Sequence, residues 1–483
     1  MKVRAFYFFP SDSHTSPCYH LQQSSSSEFP ARRHCLSSTK IPTPFLPFPV
    51  LDDAAIGRSA LRKATLRLLP LLCIGYLIAY MDRVNVSFAA LQMNRDLHFS
   101  ASAYGLGAGL FFLSYAICEV PSNLLLVRVG ARRWLSRIML TWGVISMAMM
   151  FVRTPREFYL ARLALGAAEA GFFPGIIFYL SQWFPAAAQS RAISRFYVAI
   201  PLSSVVMGAL AGMLLNLNGH LHLAGWQWLF LAEGLPSIVM GLLFLRYLPD
   251  GPHKAQWLTP DERHWILNRL KSEAATQREE QSHERIASAF REPRVWLIGT
   301  FLFCTYTGWY GVSFIMPSLM KKTTGFSDTK IGFAVAIFGL LGAASMLFSG
   351  WLSDRNRERY FHTLVPTLGL VAVYLAISLS SLSWLVLSAF ALFFMFGMST
   401  QPPVWSLPTT FLNGKSAAVG IAIINTLSIC GGFIGPSWLG FAHDITGTYE
   451  RGVMTLAAPA LIACAILLIV RQYDQRQRRM AAE

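Results

Sequence analysis

Gly350-Trp351-Leu352-Ser353-Asp354-Arg355-Asn356-Arg357-Glu358-Arg359 closes one long apolar stretch and forms a short basic turn before the next. A weaker copy, Asn123-Leu124-Leu125-Leu126-Val127-Arg128-Val129-Gly130-Ala131-Arg132, stands 227 residues earlier. Each copy follows the second apolar stretch of a group of six, so the chain reads as two halves of one design. Parallel repeats of this kind place two helical bundles about an axis along the membrane normal.

Working outward, twelve stretches are long and apolar enough for about 30 Å of hydrocarbon, which takes about 20 residues each. They are 66–91, 102–124, 134–152, 158–184, 192–216, 226–248, 295–320, 330–353, 363–380, 384–411, 417–441 and 453–471. The expected fold is an all-α membrane protein with twelve transmembrane helices in two pseudo-symmetric six-helix bundles, 58–248 and 295–475. Between them, 249–294 is the one long polar connector. In it Thr259 fits a helix N-cap, Pro260 the first helical position, and Asp261 and Glu262 the first turn. Residues 476–483 form a short tail.

Composition agrees: 54% of the 483 residues are hydrophobic and only 14% charged, against about 25% charged in soluble proteins. The net charge of +16 comes from residues scattered between apolar stretches, which argues against nucleic acid. From Arg58 onward, 27 Lys and Arg fall on the side of the termini and seven on the opposite side. The positive-inside rule therefore predicts that both termini are cytoplasmic. Seven cysteines form no Cys-x-x-Cys pair, and neither a metal nor a cofactor is expected. Residues 1–57 are rich in Ser and Pro, with the run Ser24–Ser27 and no apolar signal core. They read as a disordered tail or a mis-assigned start, with an organellar transit peptide as the alternative.

Five ionisable side chains interrupt the apolar stretches: Asp82, Arg83, Arg162, Glu169 and Glu233. Each costs about 2.5–3.5 kcal/mol on insertion scales, so such residues belong in a wet interior that carries something. Asp82 and Arg83 project about 100° apart, while Arg162 and Glu169, seven residues apart, share a helix face. One acid and one base from each helix could form a balanced cluster. Static pairs, Asp82–Arg162 and Arg83–Glu169, are the structural alternative. In the functional reading Arg83 and Arg162 bind a carboxylate, for which guanidinium is suited, and Asp82 and Glu169 carry protons. Tyr80, Tyr115, Asn425 and Trp405 are further substrate-contact candidates, with Ser406 and Gln401 beside them. Phe172, Phe173, Trp309 and Tyr310 could favour a ring or simply pack. Glu119 and Glu233 read as structural. Asp354, Arg355, Arg128 and Arg132 read as a latch on the cytoplasmic face. No His-Glu-x-x-His or Gly-x-Ser-x-Gly occurs, so an enzyme is not expected.

The second copy of the repeat resembles the Gly-x-Leu-x-Asp-Arg loop signature of the major facilitator superfamily. Asn123 and Val127 depart from it in a way that resembles the superfamily's anion:cation symporter branch. Asp82-Arg83-x-Asn85, Glu119-Val120-Pro121-Ser122-Asn123, Arg162 with Glu169, Trp228–Pro236, Trp257–Arg263 and Gly435-Pro436 are similar to that branch as well. The resemblance spans about residues 60–475 and looks most like bacterial permeases for tartrate, hydroxyphenylacetate and related carboxylates. It implies proton-coupled uptake of an organic anion by alternating access in an inner membrane, by a monomer in a lipid bilayer. It also implies anion recognition and proton coupling at the acidic and basic positions named above. An anion exchanger or exporter on the same fold is the nearest alternative, and a membrane sensor signalling through 249–294 a more distant one.

Overall fold

The structure is a computed structural model that describes residues 53–280, 287–412 and 414–480. Among the described residues it is helical, with no strand. The first half contains α1 (Asp53–Asp96), α2 (Ala101–Val129), α3 (Ala131–Phe151), α4 (Pro155–Ser181), α5 (Arg191–Leu215) and α6 (Gly225–Tyr247). The second contains α7 (Pro293–Thr324), α8 (Asp328–Asn356), α9 (Tyr360–Leu379), α10 (Ser383–Thr410), α11 (Val419–Thr446) and α12 (Tyr449–Gln477).

All but α7 are apolar enough to be recognised as membrane spans by length and composition. The 32-residue α7 has no charge between Arg294 and Lys321, but Thr305, Tyr306, Thr307, Tyr310 and Ser313 dilute its apolar character. It packs against α1 and α11 at the centre of the molecule, where polar side chains find polar neighbours. Residues 53–57, expected in the tail, are instead the first turns of α1. The rest of the expected tail, 1–52, lies outside the described residues.

Call the side that carries the start of α1 and the 249–294 connector the linker face, and the opposite side the distal face. At the distal face the halves meet along two glycine seams. A Cβ on Gly105 would lie 2.3 Å from the Pro436 carbonyl oxygen, and one on Gly440 would lie 2.2 Å from that of Ala101, so α2 and α11 touch backbone to backbone. Gly208 and Gly332 do the same for α5 and α8. Small residues permit this approach where the solvent provides no hydrophobic drive between helices. Polar groups fasten both seams. Asp444 accepts from the Ala101 and Ser102 amides at 3.2 and 3.0 Å, a carboxylate at the α2 N-terminus. Asn216 donates to Thr329 at 2.7 Å, and Gln92 to Asp328 at 3.1 Å.

One span is broken. The first segment of α4 ends at Glu169, and Gly171 turns the chain at φ +85°, a left-handed conformation that favours glycine. Ser122 of α2 donates to the Ala170 carbonyl at 2.6 Å and receives the Trp134 indole N–H at 3.0 Å, so the opened backbone is satisfied inside the protein.

The connector is docked on the first half. Thr259 caps the helix Pro260–Glu280: its hydroxyl accepts from the Glu262 amide at 3.3 Å, while its own amide donates to Glu262 at 2.9 Å. Glu262 also receives Ser59 at 2.6 Å and Lys63 at 2.8 Å from α1. Trp265 lies against Gly57, and Trp257 stacks on Trp183 with ring centres 5.4 Å apart. Burial alone would raise the Glu262 carboxyl, but hydrogen bonds from Lys63, Ser59 and the Thr259 amide outweigh it and hold the group at about 2. The folded value lies below the ordinary one of about 4.3. This stabilisation is therefore complete above that value and disappears only as pH falls towards 2. Hydrogen exchange should accordingly show the amides of 261–273 equally protected at about pH 5 and pH 8. In Glu262→Ala they should exchange about 10- to 100-fold faster, the effect of removing about 1.5–3 kcal/mol of charge-assisted bonding.

Candidate functional site

Because Asp82 and Arg83 are adjacent on α1, they point to different neighbours. Arg83 forms an ion pair with Glu169, the residue that ends the first segment of α4. A carboxylate at a helix C-terminus faces the negative end of the dipole, so Glu169 depends on that guanidinium when ionised. The pair uses one Glu169 oxygen only; Oε2 and the Arg83 Nε are both buried without a partner. Aromatic rings enclose the cation, with the Arg83 guanidinium carbon 5.6 Å from Tyr80, 5.5 Å from Phe111 and 5.3 Å from Tyr115. The Arg83 side chain keeps 13% of its surface exposed, against 1% for Glu169.

Asp82 turns the other way. It is fully buried and accepts from Trp142 Nε1 at 2.9 Å, from Asn85 Nδ2 at 3.1 Å and from the Ser146 hydroxyl. These partners lie on α1 and α3, inside the first half. Arg162 is fully buried too. Its Nε and Nη2 donate to the Gly107 and Ala108 carbonyls of α2 at 3.4 and 3.3 Å, and its guanidinium sits 4.8 Å from the Phe111 ring. The acid–base quartet expected from the sequence is thus divided. Arg83 and Glu169 are joined, whereas Asp82 and Arg162 each bind other groups and interact with each other only at longer range. The cause is the strength of the local donors: a tryptophan N–H, an amide and a hydroxyl already converge on Asp82.

The second half faces Arg83 with neutral polar groups. Tyr306 and Trp405 both donate to Gln401 Oε1 at 3.2 Å. Tyr310 lies with its ring centre 4.4 Å from Phe112 of α2. Asn425 of α11 donates to both oxygens of Glu119 on α2, at 3.0 and 3.3 Å. Among the described residues this is the hydrogen bond between the halves nearest the linker face. Glu119 also lies within the field of Arg83.

The structure therefore gathers Arg83, Glu169, Tyr80, Tyr115, Asn425, Gln401 and Trp405 around the plane between the halves. Glu119, read as structural from the sequence, joins them; its position one turn after Tyr115 on the same face was the available signal. Tyr306, one turn before Tyr310, was missed for want of any charge. Ser406 lies apart, its carbonyl accepting from Arg359 at 2.5 Å. Phe172, Phe173 and Trp309 pack within their own halves, against Trp142, Tyr76 and Phe393. At the linker face Asp354, Arg355 and Arg128 are exposed, and Arg355 lies over Trp351 at 5.3 Å. Among the described residues no ion pair includes them or Arg132.

Comparison with known proteins agrees with this architecture. Residues 72–436 match the model of the Major Facilitator Superfamily. The chain is 42% identical over 411 residues to a protein of Agrobacterium vitis named "Putative tartrate transporter", covering 85% of this chain and 94% of that one. It is 38% identical over 426 residues to the quinolone resistance transporter of Acinetobacter baumannii, covering 87% and 97%. With the inner membrane transport protein RhmT of Escherichia coli it shares 34% over 425 residues, also covering 87% and 97%. Among solved structures, a bacterial homologue of the human lysosomal transporter Spinster superposes with a TM-score of 0.68 at 17% identity, covering 85% of this chain and 96% of that one. The xylose transporter XylE of E. coli gives 0.65 at 12%, covering 84% and 97%. Two like halves with six spanning helices each among the described residues, glycine seams between them and a charged centre in the first half are the frame of a transporter and not of an enzyme, and the chain belongs to the Major Facilitator Superfamily.

Proposed function

We propose that the protein is a proton-coupled importer of an organic carboxylate in a bacterial inner membrane, with both termini cytoplasmic and a monomer as the working unit. The observation that carries this reading is the Arg83–Glu169 pair: a partly exposed guanidinium held by one oxygen of a carboxylate at a broken helix end. Protonation of Glu169 frees Arg83 for the carboxylate of the substrate, and deprotonation reclaims it. Tyr80, Tyr115, Tyr306, Gln401 and Trp405 supply neutral hydrogen-bonding walls, and Asn425 can exchange Glu119 for substrate.

Charge supports the same coupling. Asp82, Glu119 and Glu169 share the first half with two guanidiniums, the buried Arg162 and the partly exposed Arg83, so full ionisation of these five groups leaves an excess of one negative charge. Adding an anion to that set in low dielectric is prohibitive unless protons enter with it. In this scheme the two halves rock about the site. The glycine seams close the distal side, and Asp354, Arg355, Arg128 and Arg132 latch the linker side when it closes in turn. Tartrate is a first candidate because of the similarity to the A. vitis protein. Export is the second reading, favoured by the similarity to the quinolone resistance transporter. Counterflow in proteoliposomes with and without an imposed pH gradient separates the two.

In a thermal-shift screen against mono- and dicarboxylates, the wild-type protein should be stabilised by at least one, and Arg83→Gln should lose that response. The affinity of this variant should fall at least about 30-fold, the effect of losing about 2 kcal/mol or more from a buried charge contact; normal binding would refute the role of Arg83. Glu169→Gln should sustain exchange across the membrane but no longer concentrate substrate under a proton gradient. Undiminished accumulation by that variant would place the coupling proton elsewhere.

A further inference from the structure

Glu233 lies in the middle of α6, 3% exposed, and neither of its carboxyl oxygens has a hydrogen-bond partner. Asn85 of α1 is the polar side chain within interaction range of it, though without hydrogen-bond geometry, and among the described residues the charge that acts on it is Asp82. Among the described residues no cation pairs with it. An ionised carboxylate buried with neither a donor nor a counter-charge is the costliest state a side chain can adopt.

Asn85 has the complementary deficit. Its Nδ2 donates to Asp82 Oδ1 at 3.1 Å, but its own Oδ1 is buried without a donor. Asp82 already takes the Trp142 indole N–H and the Ser146 hydroxyl. Around Asp82 there are therefore three donors, while a short distance away an acceptor lacks a donor beside an acid that lacks any partner. A single proton on Glu233 would correct both, because its O–H could be donated to Asn85 Oδ1 while Nδ2 stays on Asp82.

We infer that Glu233 is held as the neutral acid and acts as a positioning residue, orienting Asn85 so that the amide N–H is the third donor to Asp82. The line Glu233–Asn85–Asp82, continued by the Trp142 and Ser146 donors, connects α6, α1 and α3 and fixes the rotation of α1 about its axis. Because Asp82 and Arg83 are neighbours, this rotation also sets where Arg83 stands relative to Glu169. Around Asp82 the other facing charges are Glu169 and Arg162; Glu233 adds none of its own. Glu233 is thereby removed from the transported charge, and the exchangeable proton belongs to the Arg83 side of α1. The inference goes beyond the transport reading and does not depend on the substrate.

The test is infrared spectroscopy on the purified full-length protein, with no ligand added. The difference between wild type and Glu233→Gln should isolate one protonated-carboxyl C=O band, present from about pH 5 to pH 9. In Asn85→Leu that band should move to higher frequency, because the acid loses its acceptor. Glu233→Gln should unfold at the wild-type temperature, since its amide N–H replaces the acid O–H, whereas Glu233→Leu should unfold several degrees lower. A difference spectrum showing loss of an ionised carboxylate, or a protonated band indifferent to Asn85→Leu, would overturn the proposal. Should Glu233→Leu fail to fold, the two infrared comparisons decide alone. A failure of Glu169→Gln to uncouple transport would leave these bands unchanged, so the two readings fall separately.

Discussion

A charge buried in hydrocarbon must find its partner inside the protein, and the first half of this molecule is organised around that requirement. Asp82, Arg83, Glu119, Arg162, Glu169 and Glu233 all come from its spans. The satisfied carboxylates are anchored by donors from neighbouring helices, so the charges also dictate how α1, α2, α3 and α4 are rotated against one another. Arg162 shows the same constraint from the basic side: with no carboxylate in reach, it takes two backbone carbonyls of α2. Gly107 lets α4 come this close to α2, since a Cβ there would lie 2.1 Å from the Phe158 ring.

The second half is built on the opposite principle. Where it faces the charged centre it offers Tyr306, Tyr310, Gln401, Trp405 and Asn425, all neutral, and α7 gives up apolar character to do so. A neutral wall can part from a charged one without leaving an ion stranded in hydrocarbon. The two distal seams have the same property. Glycine backbones touch there, fastened by hydrogen bonds, so separation costs contact area and those bonds and not a buried ion pair.

The break in α4 joins the architecture to the chemistry. Ending a helix segment at Glu169 places a carboxyl where the backbone dipole opposes its ionisation, and Ser122 and Trp134 make the break tolerable. The Arg83 contact is therefore the main support for the ionised form, which makes the pair responsive to anything that competes for the guanidinium.

Much of this was legible in the chain itself. The apolar stretches, the repeat at 123–132 and 350–359, the capped linker helix and the embedded charges all follow from composition and spacing, because hydrocarbon thickness and helical period act on every span alike. Of the two static pairs that helix faces and depths suggested as an alternative, Arg83–Glu169 forms and Asp82–Arg162 does not. What the linear order could not contain is the identity of the nearest donor. Trp142 and Ser146 draw Asp82 away from Arg162, the Gly107 carbonyl reaches Arg162 first, and Asn425 reaches Glu119 across the two halves. Those choices depend on distances of a few ångströms between helices, and only the packed structure decides them.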